Sequence, residues 1–152
     1  MDFPNIFTKE VVDDLTNRLN AISKDSQPQW GKMNAAQMMA HCSVAYEFVF
    51  TDKHKRPNPI ARFMIKMFAK NAVVGPKPYP RNSRTAPMFI ISEEKNLEVE
   101  REQLIAYMNQ CLELGPEHFD GKENFSFGNL SLNEWNNMFY KHLDHHLQQF
   151  GV

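Results

Sequence analysis

The pattern that most constrains this chain is helical. Apolar side chains recur every three to four residues through four long stretches, and no stretch alternates at period two as a half-buried strand would. An all-α fold follows. The first stretch, Thr8 to Ile22, places Val12, Leu15, Leu19 and Ile22 on one face and ends before the turn-rich Ser26-Gln27-Pro28-Gln29-Trp30-Gly31. The second starts more sharply: Asn34 and Gln37 have the spacing of a capping box and Met33 and Met38 that of a hydrophobic staple, which predicts a helix from Ala35 to about Phe50. The last stretch repeats the device with Ser131 and Glu134 as box and Leu130 and Trp135 as staple. Between these two, Ser92 precedes Glu93 and Glu94, acids suited to the positive end of a helix. Leu97, Leu104, Met108 and Cys111 then carry the stripe to Gly115-Pro116.

Residues 51–91 are too many for a simple loop. Their apolar piece, Ile60 to Phe68 after Pro57 and Pro59, predicts a short extra helix, and Gly75 through Pro87 reads as extended. A crossover of this length lets the second and third long helices lie roughly parallel, where a tight turn would force a hairpin.

With 152 residues and 42% hydrophobic content, the chain suits one domain around one core. Its net charge of −1 supplies no field that would draw it to nucleic acid or to an anionic membrane. Met1-Asp2-Phe3-Pro4-Asn5 lacks the basic start and apolar run of a leader, and no run reaches the ~18 apolar residues of a membrane span, so a cytoplasmic location is expected. Cys42 and Cys111 fit no Cys-x-x-Cys pattern and are expected as reduced, buried thiols. No Gly-rich nucleotide loop, serine-nucleophile motif or DNA-reading element is present.

The candidate chemistry lies in the six histidines. At ~100° per residue, His142 and His146 fall inside the apolar stripe of the last helix with Trp135, Phe139, Leu143 and Phe150, one turn apart. His145 falls outside that stripe, as a flanking residue. The same reckoning sets His41 near the centre of the second helix's stripe, with Met38, Cys42, Ala45, Phe48 and Val49. A lone inward histidine is more often a hydrogen-bonded core residue than a ligand. Three converging imidazoles, however, can hold one divalent ion and leave coordination positions open, as catalytic sites do. His54 and His118 have no inward context and are expected in solvent, and Cys42 lies ~100° from His41, too far round the helix to share an ion with it.

Three segments carry a family resemblance: Trp30-Gly31-Lys32-Met33-Asn34-Ala35-Ala36-Gln37-Met38-Met39-Ala40-His41; Phe127-Gly128 with Glu134-Trp135; and Tyr140-Lys141-His142-Leu143-Asp144-His145-His146-Leu147-Gln148-Gln149-Phe150-Gly151. Together they resemble the DinB/YfiT-like superfamily, and within it a branch of small bacterial proteins of unknown function. The resemblance spans nearly all of residues 1–152. It implies a four-helix bundle with a long crossover after the second helix, and a divalent metal, commonly zinc or nickel, on one histidine of the second helix and two of the last. Those positions are His41, His142 and His146. It also implies homodimers, and metal-dependent hydrolases or thiol-linked transferases acting on small molecules such as thiols or thiol conjugates. A histidine-proline pair that often stands before the Phe-x-Phe-Gly region in this branch is replaced here by Asn124-Phe125-Ser126-Phe127-Gly128.

Charge is segregated along the chain. Residues 51–91 hold nine Lys or Arg against Asp52, and residues 92–124 hold nine acids against Lys95, Arg101 and Lys122. One expectation is that these segments pack together and neutralise each other. The other is that Lys77, Arg81 or Arg84 lean over the metal cavity to hold a substrate carboxylate or phosphate. Two functions compete: a metal-dependent enzyme built on the three histidines, and a non-catalytic bundle that dimerises or binds a small ligand through apolar surface such as Phe48, Phe50, Phe63 and Phe68.

Overall fold

The computed structural model describes residues 1–152 and places side-chain caps at the start of four of its five long helices. Helix α1 spans Lys9–Asn20, α2 Ala35–Phe50, α3 Pro59–Val74, α4 Leu97–Leu114, α5 Pro116–Phe119 and α6 Leu132–Gln149. A single 3-10 turn, Pro87–Phe89, interrupts the segment between α3 and α4. Strands β1 (Glu123–Asn124) and β2 (Gly128–Asn129) form a small antiparallel hairpin, with Glu123 opposite Asn129. The chain is therefore mostly helical, as its periodicity predicts.

Both capping boxes form. Gln37 N donates to Asn34 Oδ1 at 2.9 Å and Asn34 N to Gln37 Oε1 at 3.1 Å. On α6, Ser131 N donates to Glu134 Oε2 at 2.9 Å and Glu134 N to Ser131 Oγ at 3.3 Å. Two boundaries differ from expectation. Helix α4 starts not after Ser92 but after Asn96, whose Oδ1 takes the N–H groups of both Glu98 and Val99; one residue satisfies two orphan donors of the first turn. Helix α3 is not short: Asn58 caps it at 2.8 Å from Ala61 N, Pro59 opens it, and it continues past Phe68 to Gly75. The hairpin and α5 are too brief to leave a periodic signal, and the 3-10 turn begins at Pro87, where the stretch expected as extended ends.

Val12, Leu15 and Leu19 of α1 and Leu104, Met108 and Cys111 of α4 meet a nearly all-round buried α2 in one cluster of 27 residues. Helices α2 and α4 run in the same direction. Their caps, Asn34 and Asn96, border one cleft, and further along Tyr46 and Phe50 both stack on Tyr107 at 6.0 and 5.9 Å. The long crossover permits this arrangement. No helix is long and apolar enough to cross a membrane.

Helix α6 is buried on two sides. One side presents Trp135, Phe139 and Leu143 to the core, with ring stacking of Trp135 on Phe139 and Phe139 on Tyr46. The other side is polar, and it grips backbone. Asn136 accepts from Ile6 N at 2.8 Å, Asn137 donates to Val74 O at 3.0 Å, and Lys141 Nζ donates to the carbonyls of Ala72, Gly75 and Lys77 at 2.9, 2.7 and 3.1 Å. These carbonyls belong to the end of α3 and the loop after it, where the helix leaves unpaired acceptors and a partial negative charge. Burial pushes the lysine's pKa down to about 8. At neutral pH it remains an ammonium, the form that can donate three hydrogen bonds at once.

The charged segments do not neutralise each other. Only Arg56 and Arg62 reach across, both to Glu123. Lys53 pairs with Glu47 and Lys70 with Glu134, while Glu93 and Glu98 pair with Lys95 and Arg101 of their own segment. Apart from Glu123, the paired acids of residues 92–124 take their cations from their own segment. Lys141→Met should lower unfolding stability by about 2–4 kcal/mol in urea titration, because three carbonyls, that of Gly75 buried and those of Ala72 and Lys77 partly so, lose their donor.

Candidate metal centre

His41 projects from the middle of α2, and His142 and His146 from successive turns of α6, so that the two helices face each other across three imidazoles. Their nearest ring nitrogens all lie within 4.8 Å of one another, and His41 Nε2 is 2.9 Å from His142 Nε2. Edges of a tetrahedron with metal–nitrogen bonds of ~2.05 Å are about 3.3 Å long, a length bracketed by these separations. Two imidazole nitrogens aimed at each other at 2.9 Å must share a proton or a cation.

Two outer contacts select which nitrogen points inward. His41 Nδ1 donates to the carbonyl of Phe89 at 2.8 Å, leaving the Nε2 lone pair for the centre. His146 Nδ1 donates to Gln149 Oε1 at 2.8 Å, with the same result. Gln149 is itself fixed, for its Nε2 donates to Trp30 O at 2.6 Å and its backbone carbonyl accepts from Gln29 N at 2.7 Å. Such outer hydrogen bonds orient ligating histidines and set their tautomer. Burial holds the pKa of His41 below the ordinary histidine range and pushes His146 down to about 3, with the neighbouring His41 adding to the effect on His146. Burial, with the other histidines beside it, also keeps His142 well below that range. All three are neutral at pH 7, the state in which imidazole binds a metal. The donor set thus fits a borderline divalent ion.

Aromatic rings wall the cluster. Phe89 lies 5.4 Å from the His41 ring and 5.7 Å from His142, and Tyr79 lies 6.3 Å from His142. His145, expected as a flanking residue, sits between Trp30 and Tyr79, each 5.6 Å from its ring. Of the three cations proposed for substrate, all exposed, Arg81 sets its guanidinium 4.4 Å over the ring of Trp30, which lies beside His145. Lys77 and Arg84 are exposed, and Lys77 contributes its backbone carbonyl to Lys141. His118 is exposed as expected, but His54 is half-buried, 2.7 Å from a Glu47 oxygen and edge-on to Phe48 at 4.8 Å. Cys42 is buried with its Sγ 3.8 Å from Met38 Sδ, and burial pushes its thiol far up.

Sequence reasoning missed Phe89 and Gln149. Phe89 acts through a backbone carbonyl, which no side-chain pattern announces. Gln149 had a signal, since three residues after His146 places it on an adjoining face one turn on. The conformation of Gly31 belongs to the same device: its φ is +81°, and a Cβ there would lie 2.5 Å from Gln149 Nε2. Gln149→Ala should weaken affinity for added zinc by roughly 10–100-fold in chelator competition. Gly31→Ala should act in the same direction, while Gln148→Ala, whose side chain contacts Asp144 on the outside, should leave affinity unchanged.

No curated protein and no solved structure matches the chain at a significant level. A family model does, over residues 7–151, and it describes proteins of unknown function. Because the match covers nearly the whole chain, this protein belongs to that family, DUF1569.

Proposed function

We propose that this chain is a metal-dependent enzyme of DinB-like four-helix-bundle architecture, with α1, α2, α4 and α6 as the bundle and α3 in the crossover. In this reading His41, His142 and His146 hold one divalent ion, zinc or nickel. The observation that carries it is the joint orientation of the cluster: three neutral imidazoles within 4.8 Å, two of them turned inward by Phe89 O and Gln149 Oε1. A core that merely buried three histidines would have no need to turn two of their lone pairs toward one point.

A divalent ion at this position supplies Lewis acidity that makes water or a thiol nucleophilic near neutral pH. The chain's own groups do the rest. Cys42, next to the cluster in sequence, is buried among apolar groups with its thiol protonated, so the nucleophile is not a protein cysteine. Phe89, Tyr79 and Trp30 exclude water from the mouth and offer flat apolar faces to a small molecule. Arg81, held over Trp30, places a cation at that mouth for a substrate carboxylate or phosphate. The substrate class we assign is a small thiol or thiol conjugate, in keeping with the DinB-like resemblance, and the reaction is hydrolysis or thiol-linked transfer in the cytoplasm.

Elemental analysis of protein purified without a histidine tag tests the reading. About one equivalent of divalent metal per chain is expected, falling to trace levels in His142→Ala and His146→Ala. Chelator should lower the melting midpoint of the wild-type protein and leave both variants unmoved. Trace metal in the wild type after reconstitution, with a midpoint indifferent to chelator, refutes the proposal.

A further inference from the structure

The folded chain keeps its charge one-sided around α3. From Lys53 to Ser92 there are nine Lys or Arg and no acid, whereas the whole chain has 17 cations against 18 acids. The net charge of −1 conceals this excess, because the acids gather elsewhere along the sequence. Ion pairing removes only part of it. Arg56 and Arg62 share the single carboxylate of Glu123, Lys70 has Glu134, and Lys55 and Lys66 are exposed with no ion-pair partner. On α3 and just before it, five cations thus meet two acids.

The same helix turns bare apolar side chains outward. Ile60 is 79% exposed, Phe63 60%, Met64 46%, Met67 55% and Phe68 72%. At ~100° per residue these five form one stripe about 140° wide, and Lys70 and Lys66 follow about 20° and 60° beyond its Phe63 edge. An apolar stripe bordered by cations is the division of a helix that lies in the plane of a membrane interface. Beside the stripe a groove of about 400 Å³ separates α3 from the β-hairpin, and its lining joins Pro57, Pro59 and Phe63 to Arg62, Lys66 and Gly128. The Lys66 ammonium lies 3.6 Å from the place of a Cβ on Gly128, so it reaches across to the hairpin. Two cations among apolar walls suit a phosphate that carries a hydrocarbon chain.

We propose that this face docks on an anionic membrane surface, with α3 in the plane of the leaflet, its stripe among the upper acyl chains and a phospholipid phosphate in the groove beside Arg62 and Lys66. Charge selects this occupant. A second copy would bring the same unbalanced cations together, whereas a phosphatidylserine surface is complementary to the stripe and to its border alike.

The full-length chain should pellet with vesicles of phosphatidylcholine and phosphatidylserine, pellet far less with phosphatidylcholine alone, and be released by high salt. Phe63→Glu should lower partitioning at least tenfold. Lys66→Glu changes the local charge by two units, worth about fivefold each, and should lower it about 25-fold. Met67→Cys carrying an environment-sensitive fluorophore should shift its emission to the blue on meeting the mixed vesicles, and the label goes to that position because Cys42 and Cys111 are buried. A wild type that ignores anionic vesicles overturns the proposal, as do equal pelleting with both vesicle types and a Phe63→Glu protein that binds at wild-type strength. So does a lipid-free dimer that Phe63→Glu splits into monomers, which assigns the face to a protein contact. If Phe63→Glu fails to fold, the fluorophore decides, and an emission unmoved by the mixed vesicles counts against it.

Discussion

Helix α6 must satisfy two unlike neighbours at once, and the rest of the structure hangs on that. Its apolar side completes the core with Trp135, Phe139 and Leu143, while Asn136, Asn137 and Lys141 on the reverse bind backbone of the N-terminal segment and the crossover. The Lys141 ammonium is central. Its three carbonyl partners tie down the end of α3 and residues 75–77, from which the chain proceeds to Tyr79, Arg81 and the turn bearing Phe89. The crossover is thereby anchored one residue from His142, and its later part closes over the histidines.

The same helix carries two of the three imidazoles, so core packing and site geometry share a scaffold. Rigid elements place the rings, and backbone groups from distant segments choose their tautomers: Phe89 O from the crossover for His41, and Trp30 O acting through Gln149 for His146. Burial keeps the rings neutral, since a charged imidazole there would lose its hydration without gaining a counter-ion. Stability and ligand readiness draw on one arrangement. The turn Trp30-Gly31, which periodicity reads only as a helix stop, is one of its supports.

Much of the helical layout was legible because its signals are local. Asn34 with Gln37, and Ser131 with Glu134, are three residues apart, and a capping box needs nothing beyond them. The inward direction of His41, His142 and His146 was legible for a related reason: angle round a helix depends on residue number alone. Where the reading went astray, a distant partner or a competing local one intervened. Helix α3 extends to Val74 with the carbonyls at its end taken by Asn137 and by Lys141, the latter 66 residues beyond Gly75. Helix α4 starts late because Asn96 outcompetes Ser92, two candidates that sequence spacing does not rank. His54 leaves solvent because Glu47 and Phe48, a turn back on α2, are within reach of it.

By itself, the sequence determined the helical class, the two strongest helix starts and the membership of the histidine cluster, all consequences of short-range geometry and repeat angle. The tertiary structure alone decided that the polar side of α6 is buried, that Arg81 lies over the Trp30 ring, and that Phe89 and Gln149 orient the rings. Those outcomes depend on which remote segments meet. Hydrogen bonds and ring contacts form by proximity in space, and a chain's pattern along its own length does not encode the distance between residues a hundred positions apart.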